Sequence, residues 1–213
     1  MDAERLLAMS EVSMEYAALK NDDHCPKGMY IIPSADSILS WDGVLFVHQG
    51  YYADSILKFR VRFPFTYPAR PPAVTFATDV FHSLISNEDG TLNLEPRFSP
   101  WRPKQDHVFH LLHWIKVIFK KGALDNIKES DALNKEAFRY RDSTQSFAAL
   151  ATQSAMLSQT APALFENAHS SARKSQAQIH DIVVLRESRE EELDPFRTKL
   201  GLHPWARSDE QRS

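Results

Sequence analysis

The sequence predicts an α+β fold: an N-terminal helix, a four-stranded antiparallel meander, a central helix and C-terminal helices, plus a short strand-helix tail. Three observations carry that prediction. An apolar stripe at helical spacing opens the chain. Four β-prone runs separated by turn residues fill positions 29–77, and a wide apolar stripe follows the stretch around Asp106.

Taken in order, residues 3–20 place Leu6, Met9, Val12, Tyr16 and Leu19 three or four apart, with Asp2 available as N-cap. A polar break leads into Met29-Tyr30-Ile31-Ile32-Pro33, a short strand. Ser34 to Ser37 reads as a turn, and Ile38 to Val47 as a second strand interrupted by Asp42-Gly43. Gln49-Gly50 makes the next turn. The third strand alternates: Leu57, Phe59, Val61 and Phe63 on one face, Lys58, Arg60 and Arg62 on the other. Ala73 to Ala77 is the fourth, with Val74 and Phe76 together on one face. One side of such a meander covers a core and the other meets water, so the Lys58-Arg60-Arg62 row is expected on a solvated face.

Asp106 is the expected cap of the central helix, which runs to about Lys121. Val108, Leu111, Leu112, Ile115, Ile118 and Phe119 form its buried stripe, and Lys120-Lys121-Gly122 its stop. A polar connection follows to Leu133, and Asn134 caps another helix at Lys135-Glu136-Ala137. Phe147, Leu150, Ala151, Ser154 and Leu157 continue a helical pattern to about Gln159, and Pro162 opens a short helix through Phe165. The main domain is expected to span 1–168. Residues 169–213 form a tail with a polar linker, the β-prone run Ile182-Val183-Val184-Leu185, and a short helix opened by Asp194-Pro195-Phe196 and stopped by Gly201. Four apolar β-formers do not persist as an isolated exposed strand. Ile182, Val183, Val184, Leu185 and Phe196 are therefore the expected contact residues, either on the domain or on a partner.

Composition narrows the function classes. A net charge of −3 with both signs interspersed gives no footprint for nucleic acid. The single cysteine, Cys25, forbids an internal disulfide and fits a reducing compartment. No window approaches 18 uninterrupted apolar residues and the N-terminus lacks a signal-peptide profile, so the expectation is a cytoplasmic protein without direct membrane insertion.

Residues 63–101 hold the most specific pattern. Phe63-Pro64-Phe65-Thr66-Tyr67-Pro68 and Arg70-Pro71-Pro72 form a proline-punctuated turn that excludes helix. The spacing Tyr67-Pro68, Pro71-Pro72, Val74-x-Phe76, Phe81-His82, Gly90-x-Leu92-x-Leu94, Trp101-x-Pro103 resembles the core of a ubiquitin-conjugating (E2) domain, which implies the UBC fold. The same resemblance implies that chemistry is lost. Enzymes of the family read His-Pro-Asn where this chain has His82, Ser83 and Leu84, and the nucleophilic cysteine falls at Asn93. A leucine donates nothing to an oxyanion, and losing one such donor costs about 3 kcal/mol of barrier. An amide cannot carry a thioester. His82 keeps the family's histidine, whose role is structural.

Other groups read as ordinary structure. Cys25 lies far in sequence from the reacting loop, and family topology puts it at the opposite end, so burial is the plainer reading than catalysis. Ser83, Ser86 and Ser99 lack a base and an oxyanion site. Glu88-Asp89 before Gly90 is a turn. His107, His110 and His113 at i, i+3, i+6 drift around the helix and have no cysteine or carboxylate ligand beside them, so no metal is expected, and no cofactor.

Over nearly its whole length the chain resembles the Fused toes / AKT-interacting protein group, with the insect crossbronx proteins. The carrying features are Ile31-Ile32-Pro33-Ser34, Leu39-x-Trp41-x-Gly43-Val44-x-Phe46, Gln49-Gly50-Tyr51-Tyr52, Val80-Phe81-His82 and Trp101-Arg102. That resemblance implies a non-catalytic subunit bound to a Hook-type coiled-coil adaptor and an FHIP-type protein, connecting early endosomes to dynein. It leaves a nuclear pool and contact with ubiquitin or a kinase open. The alternative is an E2 variant that reads ubiquitin, as cofactor of an active E2 or in a sorting complex.

Overall fold

A computed structural model describes residues 2–165. Helix α1 (Asp2–Ala18) precedes strands β1 (Met29–Pro33), β2 (Ser40–Phe46), β3 (Ile56–Arg62) and β4 (Ala73–Phe76). They form one antiparallel sheet in the order β1-β2-β3-β4, the meander expected from the sequence. Helices α2 (Glu95–Phe98), α3 (Val108–Val117), α4 (Lys121–Asp125), α5 (Lys135–Tyr140), α6 (Thr144–Ser158) and α7 (Ala161–Phe165) follow, with a 3-10 turn at Glu129–Asp131. Tyr67–Pro68 and Ser99–Pro100 are cis peptides.

The core lies between the inner face of the sheet and α3. Leu57, Phe59 and Val61 from β3 and Val74 and Phe76 from β4 are buried there. So are Val108, Leu111, Leu112, Ile115, Ile118 and Phe119, the whole stripe read from the sequence. Burying side chains of this size contributes about 1.5–3 kcal/mol each, which makes this layer the main source of the fold's stability.

Several local expectations are corrected by packing. Asp42-Gly43 does not interrupt β2: the strand runs through it, paired to β3 as Asp42↔Arg60 and Gly43↔Phe59. Gly43 is there because the Phe59 ring lies over it. A Cβ at Gly43 would meet Phe59 Cζ at 2.4 Å. Gly43→Ala is therefore expected to destabilise the domain by about 1–3 kcal/mol, seen as a lower urea midpoint, because the fully buried ring has nowhere to move. Phe59→Leu in the same chain should recover part of the loss; equal destabilisation with and without it would disprove the ring contact as the cause.

In α1 the buried side is set by Ala8 and Val12, while Leu6 is 65% exposed. Along α6, Phe147, Ala151, Ala155 and Ser158 face inward and Leu157 faces out. The central helix ends at Val117. Lys121 and Gly122 belong to the next short helix instead of stopping this one, and Asn126 Nδ2 donates to Gly122 O at 2.6 Å. Asp106 is not the cap of α3. It accepts from Arg102 N, Nε and Nη2 at 2.7, 3.1 and 2.7 Å and so closes its own loop. The donor at the start of α3, Val108 N, goes to Glu15 Oε2 of α1 at 3.1 Å.

The Lys58-Arg60-Arg62 row also differs from expectation. Lys58 and Arg60 are each only 5% exposed. Arg60 Nε donates to Asp42 Oδ1 at 2.6 Å, and Lys58 Nζ donates to Leu164 O of α7. The long stems of these residues lie along the sheet while their heads find partners, so alternation placed them correctly and solvation was the wrong inference.

Candidate functional site

The residues that the E2 resemblance assigns to the reacting centre meet in one place. Between β4 and α2 the chain folds back on itself through two isolated bridges, Thr75↔Thr91 and Ile85↔Leu92. Gly90, at φ +75°, permits the turn, and its N–H donates to Ser86 O at 3.0 Å. Asp89 fixes the turn by accepting from Thr91 N at 3.0 Å and Thr91 Oγ1 at 2.8 Å. Burial alone would raise the Asp89 carboxyl; donors from Thr91 and Ser86 outweigh it and hold the group below the usual carboxylate range. Glu88-Asp89 is thus a turn, as its sequence implied.

His82 is the anchor of this loop and is fully buried. Leu84 N donates to its Nδ1 at 3.0 Å, so Nδ1 carries no proton. The proton sits on Nε2, which donates to Ile118 O at 3.1 Å and satisfies a carbonyl at the C-terminal end of α3. Burial drives the His82 pKa down to about 4, partly opposed by that backbone bond, so the ring is neutral at pH 7. Tyr52 Oη donates to Phe81 O at 2.7 Å and its ring packs against Phe119, 5.2 Å between centroids. The Gln49-Gly50-Tyr51-Tyr52 segment therefore buttresses the peptide next to His82.

Ser83 is buried, and its carbonyl accepts from Asn134 N at 3.0 Å, tying the loop to the cap of α5. Leu84 is 2% exposed and belongs to the core. Its carbonyl accepts from Asn93 N at 2.9 Å, which brings positions 84 and 93 side by side. Asn93 Nδ2 donates to Asp131 O at 2.8 Å, and its Oδ1 accepts from Glu95 N at 3.0 Å at the start of α2. One end of the amide fixes the local turn into α2 and the other ties it to the 129–131 turn. The E2 resemblance assigns Asn93 to the nucleophile position; its contact with Asp131 required the fold, whereas that with Glu95 is local.

Other candidates are dispersed. Cys25 Sγ lies 3.4 Å from Met29 O, and burial pushes its thiol up, so it has little thiolate character. His107 Nδ1 pairs with Glu15 Oε1 at 2.9 Å, His110 Nδ1 accepts from His107 N at 3.2 Å, and His113 Nε2 meets Asp23 O at 2.7 Å. Each histidine thus faces a different neighbour. Ile182, Val183, Val184, Leu185 and Phe196, and the boundary expected at 168, lie outside the described residues. Among the described residues, no helix is long and apolar enough to cross a membrane.

A four-stranded meander followed directly by a histidine-anchored loop over a central helix defines an E2-like domain. The chain belongs to the ubiquitin-conjugating enzyme family, whose profile matches residues 11–155. Within that family it is similar to Protein crossbronx homolog of Anopheles gambiae, at 30% identity over 138 residues, covering 64% of this chain and 60% of that protein. It is also similar to Protein crossbronx-like of Drosophila mojavensis, at 37% over 123 residues, 53% of this chain and 48% of that protein. AKT-interacting protein of Danio rerio matches at 38% over 111 residues, 52% of this chain and 36% of that protein. The resemblance to an E2-like variant of the Fused toes group is thereby upheld. The chain spans between 36% and 60% of the length of these curated relatives.

Proposed function

We propose that this chain is a catalytically silent E2-like scaffold that acts by binding other proteins. One observation supports the reading: Asn93, which the E2 resemblance assigns to the nucleophile position, has both amide atoms engaged, on Asp131 and Glu95. Next to it Leu84, in place of the oxyanion donor, is buried as a core side chain. Neither residue can form or stabilise a thioester intermediate. The resemblance to the Fused toes group extends the proposal to a complex with a Hook-type coiled-coil adaptor and an FHIP-type protein, connecting early endosomes to dynein.

The test begins with charging. Incubation with activating enzyme, ATP and ubiquitin should give no reductant-sensitive adduct. An adduct that disappears in Cys25→Ser would overturn the silent-scaffold reading. Asn93→Cys alone should not discharge ubiquitin to lysine, because Leu84 offers no donor; rapid discharge would show that the loop lacks only its thiol. For the partner, affinity purification from the source cell should recover a long coiled-coil protein in stoichiometric amount. Recovery of an active E2 or of sorting-complex subunits instead would replace the adaptor reading with that of a ubiquitin-reading variant.

A further inference from the structure

The outer face of the sheet is built for a neighbour. Cross-strand register places Tyr30, Val44 and Lys58 in one row and Ile32, Asp42 and Arg60 in the next. On the β1 side this face is apolar: Tyr30 and Ile32 are 67% and 53% exposed, and the Tyr30 ring meets Phe46 edge-on at 5.8 Å. Together with Val44 and His48 they line a groove of about 450 Å³. On the β3 side the same face carries Lys58, Arg60 and Arg62, of which Lys58 and Arg60 are each only 5% exposed, with their heads held by Leu164 O and Asp42. Burial, and then the adjacent Arg60 charge, push the Arg62 guanidinium down, with Asp42 opposing them. The open part of the face is therefore the apolar strip on the β1 side, which favours a ligand with hydrophobic side chains.

The chain itself arrives at this face. Ser158 Oγ accepts from Ile56 N at 2.9 Å, and Leu164 O accepts from Lys58 Nζ, so the last described helix ends beside β3. Residues 166–213 follow from that point. They contain one run of four apolar β-formers, Ile182-Val183-Val184-Leu185. The intervening stretch 166–181 can reach up to about 50 Å when extended, far more than the width of four strands about 4.8 Å apart.

We propose that residues 182–185 of this chain occupy the outer face of their own sheet on its β1 side, against Tyr30, Ile32, Val44 and Phe46. The tethering keeps the local concentration of the segment high, so modest contacts suffice to hold it. This proposal goes beyond the scaffold reading and stands independently of Asn93 and Leu84.

The test uses the full chain with Cys25→Ser. Cysteine pairs are introduced as Tyr30→Cys or Ile32→Cys with Val183→Cys or Val184→Cys, and Ile32→Cys with Ser208→Cys serves as the control. Under mild oxidation at low protein concentration, at least one tail pair should form an intrachain disulfide about tenfold or more faster than the control, as expected for docking above simple tethering. Ile182→Asp/Leu185→Asp should slow it towards the control rate, because a carboxylate is costly to bury against Tyr30 and Ile32. Rates equal to the control for all four pairs would overturn the proposal. Interchain dimers alone would assign the groove to a second copy and overturn the proposal, as would an unchanged rate in Ile182→Asp/Leu185→Asp.

Discussion

Replacing His82 by alanine should cost the domain about 3–4 kcal/mol, one of the largest single-residue effects expected in the chain. The ring fills core space and makes two hydrogen bonds, to Leu84 N and Ile118 O. Its removal leaves a cavity and orphans both backbone groups. The same residue sets an acid limit. Its pKa is about 4 in the fold against an ordinary 6.5, so the unfolded chain binds a proton in this window and the folded chain does not. The contribution is complete above pH 6.5 and is lost as pH falls towards 4. At about 1.4 kcal/mol per pKa unit the loss is about 3 kcal/mol. His82→Gln, which cannot ionise, should be less stable at pH 7 and show a flatter stability profile between pH 6.5 and 4. Parallel profiles for the two proteins in urea unfolding would refute the assignment.

Glu15→Ala should be of similar size, about 3 kcal/mol. This carboxylate accepts from Tyr67 Oη at 3.0 Å, His107 Nδ1 at 2.9 Å and Val108 N at 3.1 Å. It joins α1 to the proline turn and supplies the anion at the N-terminus of α3, where the helix dipole favours negative charge. Burial and then the Glu15 charge raise the Tyr67 hydroxyl, so the phenol stays a donor through the whole accessible pH range. Glu15→Gln keeps one acceptor oxygen and should lose about half as much. If chemical denaturation places Ala and Gln variants together at the wild-type midpoint, the three contacts do not contribute to stability.

Much of the candidate site was legible because it is a matter of residue identity. Leucine at 84 has no donor and asparagine at 93 has no thiol whatever surrounds them, and the proline spacing from Tyr67 to Pro72 with Phe81-His82 is specific enough to carry the fold. What Asn93 does across the fold was not legible, because Asp131 approaches it only after the 129–131 turn has packed against the loop.

By itself the sequence determined the strand order, the inward faces of β3 and β4 and the buried stripe of α3. These follow from periods of 2.0 and 3.6, which local backbone geometry imposes on any sequence. Only the tertiary structure decided what lies across each element. It put the Phe59 ring over Gly43, turning a presumed break into a strand. It gave the start of α3 to Glu15, some ninety positions earlier in the chain, and left Asp106 to Arg102. It buried Lys58 and Arg60 on a face that alternation marked as polar. Periodicity reports the direction in which a side chain points; burial and pairing depend on which distant segment arrives there, and long-range packing sets that.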